Sequence, residues 1–357
     1  MTSNFPIVEP PIADKLTFLL PWAVGCTQEE QKGYLRPVVD RVERLITRGL
    51  CKKAYIEHSR YLRKIIIPLS SGADALVQIG ARDPIRQKGG ISVAINPSKL
   101  SPASTKKFHE VMAHLIGDEY IELIKTPLLN RVDFAVDVLN VDIENLLVRY
   151  SRNRRHTIFG KRVVKGGRVE SYNFGSVKSD YITCVYDKST EMVEKALANL
   201  LRHGHEQDIL RENSVESFVR ERDGAKVVRV EARAVKLRGC RPYELWSLPN
   251  RFERLCFADL MIEEGAALSE FDRQALLALC RQHGVSAALD LYKRERPDVP
   301  VREFWESRRA GWWNPKTVWG DACSALRESG IFPKCAFVKP ETHTSMRALS
   351  KEMYLAP

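Results

Sequence analysis

The sequence predicts an α+β protein: an antiparallel central sheet with flanking helices, followed by a helical C-terminal domain. Three observations lead there. Short apolar runs with period-two alternation recur between residues 16 and 237, separated by turn residues. Segments with a helical period are interspersed among them. After Arg241 the strand signal gives way to helical periods.

Residues 1–13 are Pro-rich and are expected to be irregular. Residues 16–22 read as a strand. Residues 28–50 follow a helical period, with Tyr34, Val38, Val42 and Ile46 on one side and Thr27 suited to the N-cap. Residues 54–56, 62–68, 75–79 and 91–95 are β-like. Residues 101–116 read as a helix, with Ser101 as cap and Pro102 at the first position. Residues 132–138 form a strand and 142–150 a short helix. A β-rich stretch covers 156–186, with Gly166-Gly167 as a hairpin turn. Residues 190–203 are helical and 227–237 the last clear strand. Beyond them, 243–260, 268–282, 287–295 and 317–329 read as helices. The expected division is an irregular segment 1–13, an α+β domain 14–240, a helical domain 241–340 and a tail 341–357.

The chain has 357 residues and a formal net charge of +11. A basic balance favours a polyanionic partner, nucleic acid above all. The cations Arg152, Arg154, Arg155, Lys161, Arg162, Lys165 and Arg168 follow one another with no acidic residue among them. Such a run suits a phosphate backbone. The eight cysteines are scattered, without CxxC or the Cys/His spacing of a zinc site, which predicts reduced thiols in the cytosol. No GxxxxGK[ST] motif is present, so nothing predicts an intrinsic ATPase. No apolar run is long enough to span a bilayer. The run 16–22 is short and follows Asp14 and Lys15, unlike a signal peptide.

Three strands carry charge where a core strand would not. They are Arg131-Val-Asp-Phe-Ala-Val-Asp-Val138, Asp180-Tyr-Ile-Thr-Cys-Val-Tyr-Asp-Lys188 and Val228-Arg-Val-Glu-Ala-Arg-Ala-Val235. Side chains alternate between faces along a strand. Asp133 and Asp137 therefore oppose Val132, Phe134, Val136 and Val138, while Arg229, Glu231 and Arg233 oppose Val228, Val230, Ala232 and Ala234. One face suits a core. The other presents carboxylates, guanidinia and a phenol. Asp133, Asp137 and Glu231 could hold Mg²⁺ or Mn²⁺, which prefer oxygen ligands. Tyr186 and Lys188, two residues apart, are expected to point to the same face of a strand, and the metal and the lysine nearby would favour the phenolate as nucleophile. Arg229 and Arg233 could clamp phosphate oxygens. Tyr181 lies at an odd spacing from Tyr186 and faces away. Tyr172 is a third candidate. Each segment alone also fits the solvated face of a half-exposed strand.

The block Phe174-Gly-Ser-Val-Lys-Ser-Asp-Tyr-Ile-Thr-Cys-Val-Tyr-Asp-Lys-Ser-Thr-Glu191 resembles the G-S-x-K-S-D…Y-D-K…E block of the replication initiation factor family. The strand from Arg131 to Asp137 looks like its R-x-D-x-x-x-D element, and Arg229 to Arg233 is similar to its R-x-E-x-R element, in the family's order. The resemblance spans roughly residues 10–260 and is nearest to the gene-II-type replication-associated proteins of filamentous bacteriophages. It implies a rolling-circle initiator-like nuclease domain. Such an enzyme binds a double-stranded origin, nicks one strand with a tyrosine, and keeps a 5′-phosphotyrosine beside a free 3′-hydroxyl. It then rejoins the displaced single strand into a circle, without ATP. The resemblance implies Tyr186 as nucleophile with Lys188 beside it, Asp133, Asp137 and Glu231 as metal ligands, and Lys178, within its motif, near DNA. It implies a host helicase and polymerase as partners, a possible homodimer at the origin, no membrane, and the host bacterial cytoplasm.

Competing readings remain. Many rolling-circle nickases hold their metal with a His-hydrophobic-His strand. His203-Gly204-His205 reads instead as a helix C-terminus. Leu200-Leu-Arg-His203 with Tyr354 faintly resembles a tyrosine recombinase, but the separation is too long. A non-catalytic DNA-binding regulator would use the sheet as a platform. Met192 and Met261 offer internal starts for a shorter product. Trp305, Trp312, Trp313 and Trp319 could stack on bases beside Arg308, Arg309 and Lys316, or form a small helical core.

Overall fold

The computed structural model describes residues 5–22, 28–56, 60–70, 73–82, 90–151, 171–176, 178–203 and 225–340. Its strands are β1 (Ile7–Val8), β2 (Ile12–Leu20), β3 (Lys52–Lys53), β4 (Tyr61–Ser70), β5 (Ala73–Ala81), β6 (Ile91–Ile95), β7 (Leu128–Leu139), β8 (Leu146–Tyr150), β9 (Ser171–Phe174), β10 (Tyr181–Asp187), β11 (Val227–Ala234) and β12 (Leu255–Asp259). Its α-helices are α1 (Gln28–Thr47), α2 (Pro102–Ile116), α3 (Tyr120–Lys125), α4 (Lys188–His203), α5 (Glu270–His283), α6 (Val285–Glu295), α7 (Val301–Ser307) and α8 (Pro315–Glu328). The protein is α+β, with a large antiparallel central sheet flanked by helices and further helices at its C-terminal end.

Ten strands pair in one sheet, in the order β3-β4-β5-β6-β2-β7-β11-β10-β9, with β1 also pairing β7. All of these pairings are antiparallel. The alternation read in the sequence gives the sheet two unlike faces. Val132, Phe134, Val136 and Val138 join Leu16, Phe18, Val77 and Val93 in the main core. Helices α1 and α2 close it with Val38, Val42, Phe108 and Met112, and α8 closes it with Trp319, Ala322 and Leu326. Trp319 meets Phe134 edge-on at 5.5 Å between ring centroids, and Phe332 meets Phe18 at 4.9 Å. The other face is only half-buried over β5, β6 and β2, at Leu76, Gln78, Ala94 and Thr17.

Local signals explain several helix ends. Ser101 accepts from the Ser104 amide at 3.2 Å with Pro102 at the first position, and α2 stops at Gly117, whose φ of 92° excludes most side chains. Asp187 accepts from the Thr190 amide at 3.0 Å and its hydroxyl at 2.8 Å, so the chain leaves β10 directly into α4. Thr27, the hairpin turn at Gly166-Gly167 and the tail 341–357 lie outside the described residues.

Two expected helices are strands. In 142–150, Asp142 caps a single turn by accepting from the Glu144 amide at 3.0 Å, and β8 then begins. In 243–260 the helical content is two short 3-10 turns, Pro242–Ser247 and Phe252–Arg254, before β12. β8 and β12 pair with each other, Phe257 opposite Val148. Apolar spacing in such short windows suits either period, and the distant partner strand decides between them. α3, α7, β1 and β3 were not expected, and residues 54–56, expected to be β-like, follow β3 without joining a strand.

Leu147 and Ala258, from β8 and β12, join Leu276, Cys280, Ala288, Tyr292, Phe304 and Trp305 in a second core. The tryptophans therefore build structure. Trp305 and Trp319 are buried, and Trp312 and Trp313 pack on Phe257 at 5.4 and 5.0 Å. We expect Trp312→Ala to lower the unfolding free energy by about 2 kcal/mol in urea titrations, below the full cost of a buried tryptophan because Trp312 is only half-buried. Its single-stranded DNA affinity should not change. Among the described residues, no helix is long and apolar enough to cross a membrane.

Candidate functional site

Strand register assembles the site. Across β11 and β7, Arg229 faces Asp137 and Arg233 faces Asp133, with Glu231 between them opposite Ala135. Across β10 and β11, Tyr186 faces Arg229 and Cys184 faces Glu231. Opposed residues share a face, so Asp133, Asp137, Glu231 and Tyr186 all stand on the charged side. Tyr181 stands on the other, with the Arg251 guanidinium 3.9 Å from its ring centroid. Tyr172 pairs with Val185 and donates to the Leu146 carbonyl at 2.8 Å, buried in the core.

Each carboxylate has a cationic partner. Arg229 grips Asp137 with Nε at 2.6 Å and Nη2 at 2.7 Å. Arg131 grips Asp133, Nε at 2.9 Å and Nη2 at 2.6 Å. Arg233 donates to Glu231 from Nε at 2.6 Å and also from Nη2. Glu231 in turn accepts the Tyr186 hydroxyl at 2.5 Å. Asp133, Asp137, Glu231 and Arg229 are buried, while Arg131 and Arg233 are partly exposed.

Lys188 reaches the site by a different route from the expected one. It is the first residue of α4 and not a continuation of β10. Its ammonium lies 5.8 Å from the Tyr186 ring centroid and donates to Glu191 at 2.6 Å. The helix start and the Asp187 cap bring it there.

The environment shifts several groups. Burial pushes the Tyr186 phenol up, and the Glu231 charge adds to this, so the resting hydroxyl keeps its proton. Burial lowers Lys188 to about 8, and Arg229 pushes the same way against Asp137, Asp14 and Glu231. Burial raises Asp133 despite the opposing Arg131 hydrogen bond. Burial also pushes the Cys184 thiol, on the same face, up to about 11. Burial pulls Arg229 down, but its hydrogen bond to Asp137 and that residue's charge outweigh this and raise it.

These carboxylates do not fit a divalent cation as they stand. Among the described residues no group of three or more His, Cys, Asp or Glu side chains is placed to hold a metal. Arg131 pairs with Asp133, Arg233 with Glu231, and Arg229 with both Asp137 and Asp14. Mg²⁺ or Mn²⁺ would have to displace a guanidinium from the carboxylate it grips.

Asp14 escaped the sequence reading. β2 shifts register between Ala13 and Lys15, and Asp14 is the extra residue, with Oδ1 3.6 Å from Arg229 Nη1. A bulge re-aims a side chain in this way, and no pattern announced it. Arg131 and Glu191 were visible only as members of motifs. Lys178 is exposed, in the turn between β9 and β10. Arg152, Arg154, Arg155, Lys161, Arg162, Lys165 and Arg168 lie outside the described residues, as do Gly204, His205 and Tyr354.

No protein-family model matches the chain, and no curated protein sequence does. Among solved structures it is similar to a rolling circle replication initiator protein from Geobacillus stearothermophilus, at 13% identity and a TM-score of 0.29, over 64% of this chain and 74% of that one. A superposition this loose carries no argument.

Proposed function

We propose that the protein initiates rolling-circle replication of a phage or plasmid genome by nicking and rejoining one DNA strand through Tyr186. The observation that carries this reading is the 2.5 Å hydrogen bond from the half-buried Tyr186 hydroxyl to Glu231, set among arginines on one sheet face. The motif resemblance at the same residues supports it.

The chemistry follows from the groups present. As the Tyr186 oxygen bonds to phosphorus, its proton passes to Glu231. The bond from phosphorus to O3′ breaks, and Lys188 gives a proton to the departing oxygen. Arg233 has Nη1 donors with no partner among the described residues, and these suit a phosphate oxygen. No step runs through a metal ion. The reverse transfer rejoins a strand without ATP, because the phosphotyrosine keeps the phosphodiester energy. Origin duplex and displaced single strand are the substrates in this reading. Helicase and polymerase recruitment, and pairing of two copies at an origin, belong to it as proposals.

The pH dependence is specific. Below about 8, Lys188 is an ammonium and can donate; above that value the proton is lost. Single-turnover nicking should fall as the pH rises through 8, approaching about tenfold per unit beyond it. Lys188→Met should lower the rate at neutral pH and flatten the alkaline fall. An unchanged profile in that variant removes Lys188 from the proton path.

Incubating the protein with its circular genome and mapping the adduct tests the whole reading. A 5′-phosphate on Tyr186 is expected. A 3′ linkage, or no adduct at all, overturns it. A second reading is a non-catalytic DNA-binding regulator, favoured by the closed pairing of every site carboxylate with a cation. It expects Tyr186→Phe to keep every activity.

A further inference from the structure

The charged face does not end at Asp133. Lys15 pairs with Asp133 and Thr17 with Arg131 across β2 and β7, and Thr17 pairs onward with Ala94, which pairs with Leu76 and through it with Ile66. There the half-exposed face opens into a groove of about 350 Å³, lined among others by Lys15, Tyr55, Ile66, Asp74, Leu76 and Asn96. This volume lies in the range of small-ligand pockets. Five strand spacings of ~4.8 Å across the sheet, combined with the run from Asp137 to Arg131 at ~3.3 Å per residue along it, put the groove roughly 30 Å from Tyr186 on one continuous face.

Several of its lining side chains reach solvent without a partner among the described residues. Tyr55 is 99% exposed, the most exposed large apolar side chain among the described residues. It is mounted firmly: the Ala54 amide donates to the Lys64 carbonyl at 3.0 Å, and Lys64 Nζ donates to the Ile56 carbonyl at 3.0 Å. Asn96 precedes a 3-10 turn yet makes no capping bond with its side chain. The side chains of Lys15, Asp74 and Asn96 have no hydrogen-bond or ion-pair partner among the described residues. An apolar floor, a free aromatic ring, an open amide, an open carboxylate and a lysine along one groove suit an unpaired base with its phosphate. The aromatic stacks on the base, the cation meets the backbone, and the polar groups meet the base edge.

We propose that this groove holds one unpaired base of single-stranded DNA beside the strand cut at Tyr186, and that it favours cytosine over thymine. Asp74 accepts from an exocyclic amine, which cytosine has and thymine, with its O4 acceptor, lacks. The proposal rests on the nicking reading for its register but not for its binding.

Binding of fluorescent ten-nucleotide oligo-dC and oligo-dT, measured by anisotropy in Tyr186→Phe protein, tests the groove without cleavage. Tyr55→Ala in that background should weaken oligo-dC binding about tenfold, with an unchanged melting temperature because Tyr55 is exposed. Asp74→Ala should remove the preference for oligo-dC. Wild-type affinity in Tyr55→Ala, or equal binding of both oligomers before substitution, overturns the proposal. If the otherwise wild-type protein forms no covalent adduct yet Tyr55→Ala still loses oligo-dC binding, the groove stands and the nicking reading falls. If adducts form and Tyr55→Ala binds normally, the groove alone falls.

Discussion

Tyr186→Phe is expected to leave the protein folded and to abolish covalent attachment to DNA, with nicking reduced more than about a thousandfold. The phenyl ring fits the same space, and Glu231 keeps its Arg233 partner. Loss of one charged hydrogen bond costs about 2 kcal/mol of stability at most. Neither of the other two candidate tyrosines offers a phenol on that face. Tyr181 and Tyr172 lie on the opposite one, under Arg251 and against the Leu146 carbonyl. Denaturing gels of labelled genome DNA give the readout. An adduct retained in Tyr186→Phe would sink the assignment. Normal DNA affinity without the adduct is the result that separates a lost nucleophile from a lost fold.

Arg229→Met is expected to destabilise the protein by about 3–5 kcal/mol. Arg229 and Asp137 are both buried and joined by two short hydrogen bonds. Removing the guanidinium leaves the Asp137 carboxylate buried, with no partner of comparable strength. The double variant Arg229→Met with Asp137→Leu should recover much of the loss, because an apolar pair of similar volume no longer contains an unpaired charge. Urea unfolding of the single and double variants measures both. A single-variant cost below about 1 kcal/mol would mean that this ion pair does not hold β7 to β11.

The two variants probe different parts of one row. Arg229 sits between Tyr186 and Asp137 in register, so it locks the strands as well as charging the site. A catalytic effect of Arg229 substitutions is therefore best read at temperatures where the variant is fully folded.

Parity carried the site a long way in the sequence. Asp133, Asp137 and Glu231 alternate with valines and alanines, and alternation alone puts each strand's charges on one face. The same argument separates Tyr186 from Tyr181. It went astray at Lys188, where parity assumed a strand and Asp187 starts a helix instead. It went astray again at 142–150 and 243–260, where short apolar windows suited either period until β8 and β12 met.

What the sequence determined by itself is periodicity: which residues alternate, which repeat every three to four, and where Pro, Gly and Ser interrupt them. Those are local properties of the backbone and its nearest neighbours, and they predict the α+β class and the charged strands. Pairing is not local. Only the tertiary structure set Arg229 against Asp137, Arg131 on Asp133 and the bulged Asp14 beside Arg229. It thereby turned three carboxylates that looked free for a cation into arginine-gripped groups, because a buried charge must find a partner and the nearest ones lay on neighbouring strands.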